Sequence, residues 1–154
     1  MIKDAESNEY RNNLDKLRNL RNEAYKGALL CSSGLKLVLK KFHGVVEDAV
    51  NWKDLEAFPK DVWIDIFPGI KAVLIWHSDN RIVFLTTMEP GSEFSWHRHE
   101  DCEETVLVLD GDLYELETDE IFKEGESLIY EPGEPHTPTT INGNKLKVTF
   151  TRNL

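Results

Sequence analysis

Gly91-Ser-Glu-Phe-Ser-Trp-His97-Arg-His99-Glu-Asp-Cys-Glu-Glu104-Thr-Val-Leu-Val-Leu-Asp-Gly111 decides how the rest of this chain is read. Two histidines stand one residue apart, and a glutamate follows five residues after the second. On a strand, residues i and i+2 point to one face, about 7 Å apart along the chain. His97 and His99 therefore converge while Arg98 turns to the opposite face. Imidazoles reach a shared ion from there, with metal–nitrogen bonds of roughly 2.0–2.1 Å. Glu100-Asp-Cys-Glu103 allows a turn, Glu104 opens the next strand with a carboxylate, and His136, beyond the Pro132-Gly133 turn, can close the site from a third strand. Three neutral imidazoles and one carboxylate suit Fe(II), Mn(II), Zn(II), Ni(II) or Cu(II). They do not suit calcium, which needs six or more oxygens.

Outward from this stretch, the chain after Pro59 carries strand-like runs separated by turn signals. Ala72 to His77 and Arg81 to Met88 read as a hairpin across Ser78-Asp-Asn80. Further strands are expected at Glu93 to His99, Glu104 to Leu109, Leu113 to Glu117, Ser127 to Glu131 and Lys145 to Thr151. Turns fall at Phe67-Pro-Gly69, Asp110-Gly-Asp112, Glu124-Gly125 and Asn142-Gly-Asn144. Short strands at this spacing predict an antiparallel sandwich or barrel.

The first part of the chain has a different period. Tyr10, Leu14, Leu17, Leu20 or Arg21, Ala24 and Ala28 recur at helical intervals, with charges between them. Residues 1–45 are thus expected to form a helical arm that packs on the domain or on a partner subunit, and residues 46–154 the β domain.

A chain of 154 residues holds one domain of this kind without staples. Cys31 and Cys102 are too few for a disulfide framework and read as reduced thiols, which predicts a cytoplasmic protein. The start shows no apolar signal region, and no run approaches the roughly 20 residues of a membrane span. Net charge is −10, and residues 89 to 134 hold sixteen Asp/Glu against two Lys/Arg. That acidic half repels phosphate backbones, so neither nucleic acid nor membrane is an expected partner.

The opening stretch resembles the first motif of the cupin superfamily: Gly, five residues, His-x-His, three or four residues, Glu, six residues, Gly. Gly91, His97, His99, Glu104 and Gly111 occupy those positions. Only Glu104, not Glu103, keeps the gap to Gly111. The second motif maps onto Gly125, Gly133 and His136, with Glu131 where Pro is usual and Thr140 where Asn is usual. The resemblance implies an all-β fold, a cupin-type antiparallel β-barrel (jelly roll) of six to eight strands, commonly a homodimer, with His97, His99, Glu104 and His136 as metal ligands. Trp63 to Gly69, Trp96-His-Arg-His and Glu131-Pro-Gly-Glu-Pro-His136 also look somewhat like the acetylacetone-dioxygenase and ChrR-like branch. The second N-terminal zinc site of ChrR-like proteins has only Cys31 and His43 to match it here.

Phe94, Trp96 and Tyr130 are expected to line an apolar pocket around the metal. Glu131 is a candidate outer base and Cys102 a candidate redox-sensitive neighbour. The expected function is a mononuclear Fe(II) dioxygenase acting on a small organic acid, phenol or diketone, with Glu104 completing the shell or taking a substrate proton. Its rivals are a non-redox isomerase or lyase using Zn or Mn, and a ligand-sensing module without turnover.

Overall fold

Alternation of apolar and polar residues sets the inner and outer faces of the long strands. In β3 (Arg81–Met88), Ile82, Phe84, Thr86 and Met88 are buried on one side, while Arg81 is exposed on the other. In β8 (Asn144–Thr151), Leu146, Val148 and Phe150 point inward and Lys145 and Lys147 outward. Each fully buried aliphatic or aromatic side chain of this kind contributes about 1.5–3 kcal/mol relative to exposure, so a one-residue slip of register would be strongly resisted.

The computed structural model describes residues 50–94 and 96–153. The helical arm expected over residues 1–45 lies outside them. The described chain begins with a short helix, α1 (Trp52–Glu56), followed by β1 (Trp63–Phe67) and β2 (Ile70–His77). After β3 come β4 (Glu103–Glu115), β5 (Glu120–Lys123), β6 (Ser127–Tyr130), β7 (Pro138–Thr139) and β8. These strands form an eight-stranded antiparallel sheet in the order β1-β2-β3-β8-β4-β5, with β6 and β7 also pairing β4. The all-β barrel expectation holds. Among the described residues, no helix is long and apolar enough to cross a membrane.

Two strand assignments change. The turn expected at Asp110-Gly111-Asp112 is instead the middle of one continuous strand, β4, whose first part pairs β8 and β6 and whose last part pairs β5 and β7. Gly111 makes the passage by taking φ +82°, and a Cβ there would collide with the carbonyl oxygen of Gly143. The strand expected from Glu93 to His99 is reduced to two isolated bridges, Glu93 with Thr139 and His97 with His136. The pairing slips by one residue between them, which interrupts the ladder. β1, β5, β7 and α1 were not expected from the sequence.

Candidate metal centre

The slipped register decides which side chains face inward. His97 and His136 exchange backbone bonds, His97 N–H to the His136 carbonyl at 3.2 Å and the reverse at 2.9 Å. Residues so paired send their side chains to the same face, and the two rings stand 4.2 Å apart. His99 is held next to them, with its carbonyl accepting from Gly133 N–H at 2.7 Å. Glu104 enters from β4, opposite Tyr130 of β6 and Phe150 of β8, and Glu103, paired with Thr151, occupies the preceding position of the strand.

His97, His99, Glu104 and His136 are all buried, and one candidate ligand atom from each lies within 4.8 Å of every other. The Nδ1–H of His99 donates to the Val50 carbonyl at 2.7 Å, and that of His136 to the Glu134 carbonyl at 3.1 Å. A carbonyl can only accept, so each Nδ1 carries the proton and each Nε2 offers a lone pair. Those Nε2 atoms approach Glu104 Oε1 at 3.2 Å and 3.1 Å. Neither contact has hydrogen-bond geometry, and all three atoms are buried without a hydrogen-bond partner among the described residues. Leaving such groups unsatisfied is costly. A divalent cation at their meeting point satisfies all three, so the residues fit a metal.

The electrostatics agree with a tightly coupled cluster. Burial by itself would raise the Glu104 carboxyl, but in the metal-free protein a second proton on His136 gives that ring a positive charge, and this charge and the close approach of both rings hold Glu104 well below the ordinary value. Burial would lower His136, and the Glu104 charge raises it instead.

Behind His136 stands a carboxylate that sequence reasoning missed. Glu115 is 1% exposed, and it accepts from the Tyr130 hydroxyl at 2.7 Å, from Thr137 N–H at 3.1 Å and from Glu117 N–H at 2.7 Å. Its burial pushes its pKa up against those bonds. The Tyr130 ring in turn stacks on His136. Nothing in the spacing singles out Glu115 among sixteen acids of that half; only the change of strand partners along β4 brings it to Tyr130 and Thr137.

The four candidate ligands occupy one wall of a cavity of about 60 Å³. Phe94 and Tyr130 line it, as do Phe84, Val106 and Leu146. By this measure one water takes roughly 10–15 Å³, so the space suits several waters or a small organic group. Trp96 is not among the lining residues. Its neighbour His97 faces in, so alternation turns Trp96 outward, where the Arg98 guanidinium lies 6.0 Å from its ring. Glu131 is exposed and far from an inward role, its N–H bonding Glu134. Thr140 does not reach the cavity either; its hydroxyl donates to Asp112 and accepts from Gly143 N–H, tying the last turn to β4. Cys102 is buried outside the ligand cluster, and burial first, then Asp101 and Glu104, push its thiol up to about 12. That thiol is inert at neutral pH.

Residues 84–151 match the family model described as Cupin domain. Among solved structures, the chain is similar to KdgF from Halomonas sp., at 16% identity and a TM-score of 0.56 over 60% of this chain and 89% of that one. It is similar to an RmlC-like cupin from Shewanella frigidimarina, at 19% identity and TM-score 0.55 over 60% and 84%. A third likeness is to TT1209 from Thermus thermophilus, at 18% identity and TM-score 0.50 over 55% and 85%. At such identities these likenesses speak for the fold alone. No curated protein matches the chain. With the barrel, the motif spacing and the domain match in agreement, residues 84–151 form a cupin domain.

Proposed function

We propose that this chain is a mononuclear metal-dependent cupin enzyme, a non-haem Fe(II) dioxygenase acting on a small organic molecule. The observation that carries the reading is the trio of buried, unsatisfied atoms, His99 Nε2, Glu104 Oε1 and His136 Nε2, at the wall of an otherwise apolar cavity. His97 completes a set of three imidazoles and one carboxylate. The likeness of Trp96-His-Arg-His and its flanks to the acetylacetone-dioxygenase branch supports the choice of iron and dioxygen.

When bound, a divalent metal supplies Lewis acidity, and iron supplies redox chemistry with dioxygen as well. The rest falls to the chain. Phe84, Val106, Leu146 and Val148 exclude water and suit the apolar body of a substrate. Apart from the four candidate ligands and Thr86 the lining is mostly apolar, which favours a substrate with a small polar head on an apolar body, such as a small acid, phenol or diketone. Tyr130 shows the cavity its ring, because its hydroxyl is engaged by Glu115. Glu104, held ionised, either completes the metal shell or accepts the substrate proton.

A homodimer is part of the proposal. Trp63, Trp76 and Ile129 are 48%, 55% and 54% exposed, and the pairing of the strands places Trp76, Val83, Thr149, Thr105 and Ile129 in one row across the sheet. Exposed apolar groups such as Trp76 and Ile129, at the two ends of that row, suit burial against a second copy. Light scattering at several concentrations measures the mass.

The deciding experiment is metal analysis of protein purified without chelators or immobilised nickel, followed by oxygen uptake with candidate substrates. Stoichiometric iron and substrate-dependent uptake are expected. Turnover under strict anaerobiosis would favour a Zn or Mn isomerase or lyase instead. A bound small molecule with no turnover would favour a sensing module, and full activity after metal stripping would refute the metal-dependent reading.

A further inference from the structure

The segment that precedes the first strand is built into the candidate metal centre. Val50 is fully buried and is bonded to the ligand strand from both of its backbone groups. Its N–H donates to the Arg98 carbonyl at 2.9 Å, and its carbonyl accepts from His99 Nδ1–H at 2.7 Å. Two residues on, Trp52 N–H donates to both oxygens of the Asp101 carboxylate, at 3.1 Å and 3.2 Å. The Trp52 ring is 1% exposed and lies beneath the Arg152 guanidinium, 4.4 Å from its centroid. Leu55 and Phe58 then form part of the cavity wall, with Phe58 edge-on to Phe84 at 5.1 Å. This stretch lies outside the matched domain of residues 84–151.

Each contact has a physical consequence at the site. The Val50 carbonyl is the group that keeps the proton on His99 Nδ1, so it sets which nitrogen is free and which way the ring points. Without it, the His99 ring would need another acceptor for a buried N–H or would turn its other nitrogen outward. Asp101 anchors Trp52 and thereby keeps Val50 seated. The Leu55 and Phe58 side chains hold water out of the same space that the ligand atoms face.

We propose that Val50–Phe58 is a positioning strap of the metal centre, and that its docking and metal binding at His99 stabilise one another. The inference rests on the metal-binding reading given above. Coupling of this kind is reciprocal: if the docked strap tightens metal binding, bound metal tightens the strap by the same factor.

The test uses the full chain and cobalt(II) as the probe. Cobalt is titrated into the unaltered protein, Asp101→Ala, Asp101→Asn and His99→Ala. Amide exchange of Val50 and Trp52 is followed in the metal-free and cobalt-loaded unaltered protein. Asp101 is itself exposed, so its replacement removes no core side chain. Asp101→Ala is expected to bind cobalt about tenfold more weakly, the lower end of what loss of an outer partner costs, with a shifted visible spectrum. Asp101→Asn keeps an acceptor for Trp52 N–H and should restore affinity to within about twofold. Equal weakening in both variants would assign the loss to charge alone and overturn the strap. So would amide exchange at Val50 and Trp52 that is unchanged by cobalt. Tight cobalt binding by His99→Ala would remove the ligand on which the strap acts, and failure of the unaltered protein to bind cobalt would overturn the metal-centre reading and the strap together.

Discussion

The ring of Tyr130 lies flat on the ring of His136, with centroids 3.9 Å apart and planes inclined by 17°. Its hydroxyl points away, to Glu115 at 2.7 Å. The two halves of this side chain therefore do separable jobs. Tyr130→Phe keeps the stack and removes one donor from a buried carboxylate. It should lower stability by about 1–2 kcal/mol and leave metal affinity within about twofold. Tyr130→Ala frees the His136 ring and opens a cavity, costing about 3–5 kcal/mol and weakening metal binding roughly tenfold. Urea denaturation and competition with a chelator measure the two effects.

Loss of any imidazole from the cluster should be read in stability as well as in metal content. With free metal at about 100 times its Kd, the unaltered protein gains about 2.7 kcal/mol over its metal-free form. His97→Ala and His136→Ala should each abolish retained metal and erase that increment. Calorimetry with and without metal provides the comparison, and retained metal in both variants would refute the ligand assignment.

The pH dependence of the metal-free protein follows from the coupled pair. Glu104 is depressed below its ordinary 4.5, so its contribution is present above 4.5 and is lost as pH falls through its lower folded value. His136 is raised above its ordinary 6.5, so its contribution is present below 6.5 and is lost as pH rises through its higher folded value. Metal-free stability is thus expected to be greatest between 4.5 and 6.5 and to decline on both sides. Metal retention should behave differently at the acid end, because ligating histidines must be neutral. Denaturation from about pH 4 to about pH 8, with and without metal, separates the two profiles. A metal-free optimum above neutrality would contradict the assigned pair.

Two glycines of the motifs should respond very differently to one added methyl group. Gly111 combines φ +82° with a Cβ position that collides with the Gly143 backbone. Gly111→Ala should cost at least about 3 kcal/mol. Gly133 has φ +85° but nothing within 4 Å of its Cβ position. Gly133→Ala should cost only the conformational strain, about 1–2 kcal/mol. Matched urea titrations test the difference, and equal losses would show that backbone angle alone governs both sites.

Much of the barrel is legible in the chain because a half-buried strand writes its faces into the sequence. Lys145 to Thr151 alternates in burial, and the strand expected at Arg81 to Met88 runs over just those residues. Ser78-Asp-Asn80 marks its hairpin. β7 is only two residues long and carries no pattern to read. The strand break near Trp96 is equally silent in the sequence, because a slip of one residue depends on the partner strand.

By itself, the sequence determined the residues that gather at the centre. Spacing along a pleated backbone brings His97 and His99 to one face, and the motif register selects Glu104 and His136 as companions. The tertiary structure decided what surrounds them. Glu115 meets Tyr130 only because β4 runs on past Gly111 to new strand partners, and Val50 meets His99 across 49 residues of chain. Such partners share no local period with the groups they serve. Their contacts arise from the closure of the barrel, which no short stretch of sequence contains.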